Sequence, residues 1–299
     1  MGNNKNNILI CGLGAIGGYY AVRFQDKGYN LKVLVDKDRI KRYKETPRII
    51  NGEVRKFDYI LPDETGFNTD IIIIATKSNG LKDVIKNIKN FVTDNTIILS
   101  FMNGITSEKE IIGVYGNKVL YSYLLGHTFF RNGNEITHDG HAKIIYGSTK
   151  ENDDRVEYLR QTFENIGVGY EISDNILKAQ WQKFCFNCCV NQLSALNKMT
   201  FGELSNSKKS MEIMRHICSE VEEVAKCEGI PEPDFYHNLA DSLALMIPEG
   251  KTSMLQDIES GRKPETDIFG KTVVLLGVKH NVPTPYNKVI SDILDSLEP

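Results

Sequence analysis

The sequence predicts an α/β domain over residues 1–172 followed by an all-helical domain over 173–299. Three observations predict it. A glycine-rich turn joins the first apolar strand to the first helix. Ile-rich runs then alternate with helical segments through the first half, and from Asp174 onward the strand pattern gives way to helical periodicity.

The first strand, Asn7-Ile-Leu-Ile-Cys11, runs into Gly12-Leu-Gly-Ala-Ile-Gly17-Gly18, and a helix is expected over 15–27. A G-x-G-x-x-G turn that follows a strand and opens a helix is the dinucleotide-binding fingerprint in the context it requires. Gly12 permits the sharp turn, Gly14 lets the backbone approach a pyrophosphate, and Gly17 lets the helix pack on the strand. The turn residues Gly12, Leu13, Gly14, Ala15, Ile16 and Gly17 are therefore the expected cofactor cradle, with the diphosphate on the unpaired N–H groups of the helix start. The second strand, 31–35, ends in Asp36, an acid placed to accept hydrogen bonds from a ribose 2′-hydroxyl and to repel a phosphate there.

Next come a short helix near 37–43, a polar hairpin-like region to Leu61, a buried strand (70–75), a helix (81–89), a strand (96–100) and a helix (107–112). Continuous Ile-rich strands separated by helices imply a parallel sheet covered on both faces. Residues 119–125, 135–138 and 143–146 read as an antiparallel extension, and a helix over 153–166 and a strand over 168–172 close this half. In the second half, Met214, Ile217, Cys218, Val221, Val224 and Ala225 fall at helical spacing, as do Ile268, Thr272, Leu275 and Leu276. Such an arrangement places the substrate cleft where the strand C-termini meet the second domain.

Composition narrows the function. A net charge of −3, with no Lys/Arg cluster interleaved with aromatics, gives no footprint for nucleic acid. The longest apolar runs, such as 71–75, are too short to span a bilayer, and the first residues are polar rather than signal-like. Asn6 stands where a myristoylation motif wants Ser or Thr, so a cytoplasmic protein is expected. Six cysteines in 299 residues are not a disulfide framework. Cys185, Cys188 and Cys189 read as small packing residues, and no metal site is expected. His138 and His141 read as structural or exposed, and His127, His216, His237 and His280 as isolated.

Polar residues in apolar settings mark the chemistry. Lys183, Asn187, Asn191 and Ser194 follow at spacings of four, four and three, which keeps them on one stripe of a helix whose other positions are apolar. Asn is a poor helix former, and elsewhere this chain solvates its helices with Lys and Glu, so the stripe reads as the wall of a polar cleft. Ser253 and Glu265 either face a ligand or are a helix cap and a surface acid. Ala75-Thr-Lys77 and Phe101-Met-Asn103-Gly104 each follow a strand, at the sheet edge where open α/β folds bind ligands.

With these motifs in hand, the chain resembles the ketopantoate (2-dehydropantoate) reductase family over nearly its whole length. The resemblance rests on GLGAIGG at 12–18, ATK at 75–77, FMNG at 101–104, K-x-x-x-N-x-x-x-N at 183–191 with the following QLSAL, SMLQDI at 253–258 and G-R-x-x-E-x-D at 261–267. It implies an N-terminal Rossmann-type dinucleotide-binding domain, a C-terminal all-helical domain, and NADPH- or NADH-dependent reduction of a small 2-keto acid by a monomer or homodimer. By the same resemblance Lys183 is the general acid, Asn103, Asn187, Asn191 and Ser253 hold the substrate, and Lys77 and Glu265 contact the cofactor, as Asn103 also does. A desolvated lysine suits that role, since it donates a proton and stabilises the developing alkoxide.

Three positions depart from the family. Asp36 replaces the Arg that many members use for the 2′-phosphate of NADPH, and argues for NADH, although Lys37 and Arg39 lie close by in sequence. The Lys77 loop continues as Ser-Asn-Gly where a Gln is common, and Phe201 occupies a site where some members carry a substrate-binding Asn. A 2-keto acid reductase, with ketopantoate and the pantothenate pathway foremost, is the reading these features favour. The alternatives are an NAD-dependent D-2-hydroxyacid dehydrogenase on the same scaffold and a non-catalytic nicotinamide-sensing protein; the intact Lys183, Asn187, Asn191, Ser253 and Glu265 set speaks against the sensor, which needs no proton donor.

Overall fold

The computed structural model describes residues 6–126 and 129–296. The chain divides into two compact units, one of residues 1–102 and 106–176, the other of 103–105 and 177–299. The first is α/β and the second helical.

Among the described residues, twelve strands form two sheets in the first unit. They are β1 (Asn7–Cys11), β2 (Asn30–Leu34), β3 (Arg48–Ile50), β4 (Glu53–Arg55), β5 (Asp58–Ile60), β6 (Ile71–Ile74), β7 (Ile97–Ser100), β8 (Val119–Leu125), β9 (Phe129–Asn132), β10 (Glu135–His138), β11 (Lys143–Gly147) and β12 (Gly169–Ile172). The larger sheet has the order β12-β11-β8-β7-β6-β1-β2-β5. It is parallel except for the β8–β11 pair. After β1 the chain builds outward through β2 to β5, then returns to place β6 on the other side of β1. That reversal is the switch point where ligands bind in folds of this kind.

The α-helices of this unit among the described residues are α1 (Ala15–Asp26), α2 (Lys37–Glu45), α3 (Leu81–Asn87), α4 (Ser107–Tyr115) and α5 (Asp154–Ile166). Side chains alternate across a strand, and here both faces are dry. Ile8, Ile10, Ile71 and Ile73 join one core with Tyr20, Phe24 and Phe163, whereas Leu9, Cys11, Ile72 and Ile74 join the other with Ile85 and Ile111. Continuous apolar strands are the sequence consequence of this double covering.

The expected antiparallel extension is correct for β8 and β11 but not for residues 135–138. β10 instead pairs with β9 and β3 in a separate four-stranded sheet, order β4-β3-β10-β9. Its only buried residue is Ile136, too little apolar surface for a central strand with both faces covered. Ile136 and Ile50 lie over Gly18 of α1, where an added Cβ would come within 3.0 Å and 3.3 Å of their methyl groups. His138 packs edge-on against Tyr19 and lies near Phe129, a structural position; His127 and the N-terminal residues 1–5 lie outside the described residues.

The passage into the second unit comes at 176–177, a few residues beyond the expected 172, because residues 173–176 still pack on β11. Ser173 N–H donates to the Tyr146 carbonyl at 2.9 Å. Gly147 is closed over by the Ser173 carbonyl and Ile176, which leave no room for a Cβ.

The second unit contains α6 (Ile176–Phe186), a π-helical turn (Asn187–Asn191), α7 (Gln192–Asn197), α8 (Phe201–Asn206), α9 (Lys208–Cys227), α10 (Phe235–Ala244), α11 (Ser253–Glu259), α12 (Gly270–His280) and α13 (Pro285–Ser296). Its core gathers Trp181, Phe184, Val190, Met214, Val221 and Phe269 around the buried cysteines. Among the described residues no helix is long and apolar enough to cross a membrane.

Candidate active site

The turn after β1 is shaped by what cannot fit there. Gly12 has φ +104°, and a Cβ on it would lie 2.5 Å from the Ala75 carbonyl oxygen and 2.9 Å from Thr76 Cγ2. A Cβ on Gly17 would fall on the Gly12 carbonyl oxygen. Gly14 is different: nothing lies within 4 Å of where its Cβ would be. It is the N-cap of α1, no side chain caps that end, and the first turn carries no acid. The first N–H groups of α1, on Ala15, Ile16 and Gly17, are thus left to an outside acceptor, and space is open beside them. These residues fit a pyrophosphate, and so fit a dinucleotide cofactor. Leu13 is buried while Ala15 and Ile16 are half-exposed.

Asp36 follows β2 and is the N-cap of α2. Its Oδ1 accepts the Arg39 N–H at 2.7 Å, and its Oδ2 pairs with Arg39 Nε at 3.3 Å. Both carboxylate oxygens therefore engage Arg39, and the nearby cation is tied to the acid. Lys77 is exposed at the start of a short 3-10 turn. Ala75 and Thr76, rather than Lys77, are the residues of that tripeptide that close on the glycine turn.

The helical unit gathers a second set. Lys183, half-buried on the last turns of α6, donates from Nζ to Asn103 Oδ1 at 3.4 Å, and Asn103 Nδ2 donates to Glu265 Oε2 at 3.4 Å. Three residues separated by 80 and 162 positions thus form one polar chain. Asn103 belongs to this unit because Ile105, two residues on, is buried in the helical core, and Gly104 (φ +90°) packs against Ile268. Glu265 is half-buried beside buried Thr266, not a surface acid.

Asn187 and Asn191 are 7% and 6% exposed, and Asn191 Nδ2 donates to Asn187 Oδ1 at 3.2 Å. Their burial rules out a solvated face. The expected uninterrupted α-helix is corrected here: residues 187–191 form a π turn, and the wider turn changes the phase of everything after it. Ser194 consequently leaves the stripe. Its hydroxyl donates to the Met199 carbonyl at 2.6 Å and bonds Thr252 Oγ1 at 3.1 Å. Thr252, not Ser253, caps α11, accepting the Leu255 N–H at 3.2 Å. Ser253 is the exposed first residue of that helix.

The cysteines of the helical core are buried, in keeping with the packing role read from the sequence, but Cys185 and Cys189 lie together with Cys218 from α9, a neighbour that spacing alone did not reveal.

Comparison with known proteins bears on this arrangement. Residues 8–151 match the family described as Ketopantoate reductase PanE/ApbA, and residues 175–298 match Ketopantoate reductase PanE/ApbA C terminal. The chain is 26% identical to a 2-dehydropantoate 2-reductase of Aquifex aeolicus, with 97% of this chain and 96% of the relative covered. A solved 2-dehydropantoate 2-reductase from Methylococcus capsulatus superposes with a TM-score of 0.82 at 26% identity, covering 98% and 96%. D-mandelate dehydrogenase, solved with NADH and anilino(oxo)acetate, shares the fold at a TM-score of 0.85 and 22% identity, covering 98% of each chain. The two matched segments, together with a glycine turn open to a diphosphate and a lysine held by a distant asparagine, establish that the chain belongs to the ketopantoate reductase family, as an NAD(P)H-dependent oxidoreductase of the 2-dehydropantoate 2-reductase type.

Proposed function

We propose that this protein reduces 2-dehydropantoate to pantoate, as a step of pantothenate biosynthesis; relatives named 2-dehydropantoate 2-reductase support the reading. The observation that carries the reading is the Lys183–Asn103–Glu265 chain in the helical unit. The nicotinamide, when bound, supplies a hydride to the keto carbon. Lys183 donates a proton to the carbonyl oxygen and offsets the negative charge that develops there. Asn103 holds the ammonium by its amide oxygen and so fixes where the proton is presented. The buried amides of Asn187 and Asn191, with the hydroxyl of Ser253, hold the substrate's carboxylate and hydroxyl. Gly12 to Gly17 hold the diphosphate, and Lys77, Asn103 and Glu265 contact the rest of the cofactor.

NADH serves at least as well as NADPH in this proposal. Asp36 is a carboxylate at the position that meets the adenosine ribose, and Arg39 is already paired with it. Asp36 also favours a second reading, an NAD-dependent D-2-hydroxyacid dehydrogenase, and the shared fold with an NADH-bound D-mandelate dehydrogenase is in keeping with it.

Steady-state oxidation of NADH and NADPH over a panel of 2-keto acids, from 2-dehydropantoate to aryl keto acids, separates the two. The highest kcat/KM with 2-dehydropantoate supports the reductase. Preference for an aryl or linear keto acid supports the second reading, and no turnover with any of them removes both.

A further inference from the structure

Three thiols meet in the core of the helical unit, outside the residues assigned to the reaction. Cys185 from α6, Cys189 from the π turn and Cys218 from α9 have their sulfur atoms all within 4.8 Å of one another, and all three residues are 0% exposed. Cys185 Sγ and Cys218 Sγ are 3.0 Å apart, and Cys189 Sγ donates to the Met214 carbonyl at 3.5 Å. Cys218 Sγ also lies 3.6 Å from Glu222 Oε1, one turn further along α9. That oxygen accepts the Phe235 and Tyr236 N–H groups, and Glu222 is half-exposed, so the carboxylate connects the buried thiol with solvent.

We propose that Cys185 and Cys218 are a dithiol/disulfide pair that, on oxidation by a peroxide, ties α6 to α9. The sulfurs need close by only about 1 Å to reach disulfide length. A metal ion suits the cluster less well. Three thiolates around a divalent cation would leave a net charge among Phe184, Met214 and Val221. Burial pushes the Cys185 and Cys189 thiols well above their usual range, and the hydrogen bond with Cys185 does the same for Cys218. A disulfide is neutral and has no such cost. The same environment makes the thiolate scarce, so the oxidation is slow and its product durable.

The chemistry balances with peroxide as the oxidant. Glu222 accepts the Cys218 proton, and the thiolate attacks one peroxide oxygen. The O–O bond breaks, leaving a sulfenic acid on Cys218 and releasing one water once the departing oxygen takes up a proton. Cys185 Sγ then attacks the sulfenic sulfur, the S–O bond breaks, and the second water departs with the Cys185 proton. Two thiols and one hydrogen peroxide become one disulfide and two waters. Cys185 lies two residues after Lys183 and two before Asn187, so the link anchors the helix that carries them.

The test uses the whole protein, freed of reductant, treated with hydrogen peroxide, alkylated in denaturant and digested without reduction. A Cys185–Cys218 linked peptide that dithiothreitol dissolves is expected, together with a rise in Tm of about 5 °C that is absent in Cys218→Ser. Exposed Cys227 serves as the internal control. Recovery of Cys185 and Cys218 as free thiols or sulfinic acids while Cys227 is oxidised overturns the proposal, as does linkage of either to Cys189 instead. So does stoichiometric zinc or copper in the protein as purified. The peptide map of the unsubstituted protein decides the matter even where Cys218→Ser fails to fold.

Discussion

The glycine turn at 12–17 and the polar helix at 183–191 use opposite means. In the turn the proposed function rests on the backbone, and its open space exists because atoms are missing: Gly12 and Gly17 have no room for a Cβ, whereas Gly14 has room to spare. In the helix the proposed function rests on side chains, and their polar chain exists because Lys183 finds Asn103 from 80 positions away. A backbone site is fixed by local conformation and is broken by adding atoms. A side-chain site is assembled by packing and is broken by removing them.

Substitutions sharpen this contrast. The largest effect is expected from Lys183→Ala, which should lower kcat by about a hundredfold or more, with the cofactor Kd nearly unchanged; near-normal single-turnover rates would exclude Lys183 from proton transfer. Gly17→Ala comes next. Its methyl meets a carbonyl oxygen that cannot yield without moving β1 or α1, so a loss of about 3 kcal/mol in denaturant stability is expected, together with weakened cofactor binding by fluorescence titration. Unaltered stability would mean that the turn relaxes and is no backbone-defined site.

Asn103→Ala, Asn187→Ala and Ser253→Ala remove one polar partner each, at a cost of about 1–3 kcal/mol in kcat/KM. Asn103→Ala should act mainly on kcat through Lys183, and Asn187→Ala and Ser253→Ala mainly on KM. If Asn187→Ala and Ser253→Ala both keep the parent KM and kcat, the substrate lies elsewhere. The smallest change concerns Asp36. Like charges near the ribose cost about 1 kcal/mol or more at an effective dielectric near 20, so Asp36→Arg should shift preference toward NADPH by at least about fivefold. A parent protein that already prefers NADPH strongly, with no gain on substitution, would show that Arg39 releases Asp36 to hold the phosphate.

The sequence by itself determined the α/β-then-helical order and the glycine turn, because both depend on interactions within a few residues: side-chain periodicity, and a backbone that only glycine permits. It also identified the ketopantoate reductase family, through short motifs spread along the whole chain. Tertiary structure alone decided the rest. β10 reads as a strand in either sheet, and it lies in the small one, where its single buried residue, Ile136, packs over Gly18 of α1. The helix after Ile176 has an unbroken apolar pattern, yet it carries a π turn that moves Ser194 onto Thr252 while Asn187 and Asn191 stay together. Thr252 rather than Ser253 caps α11, and Cys218 joins Cys185 across two helices. These outcomes depend on which surfaces meet once the chain is compact, and contacts between residues tens or hundreds of positions apart leave no local pattern to read.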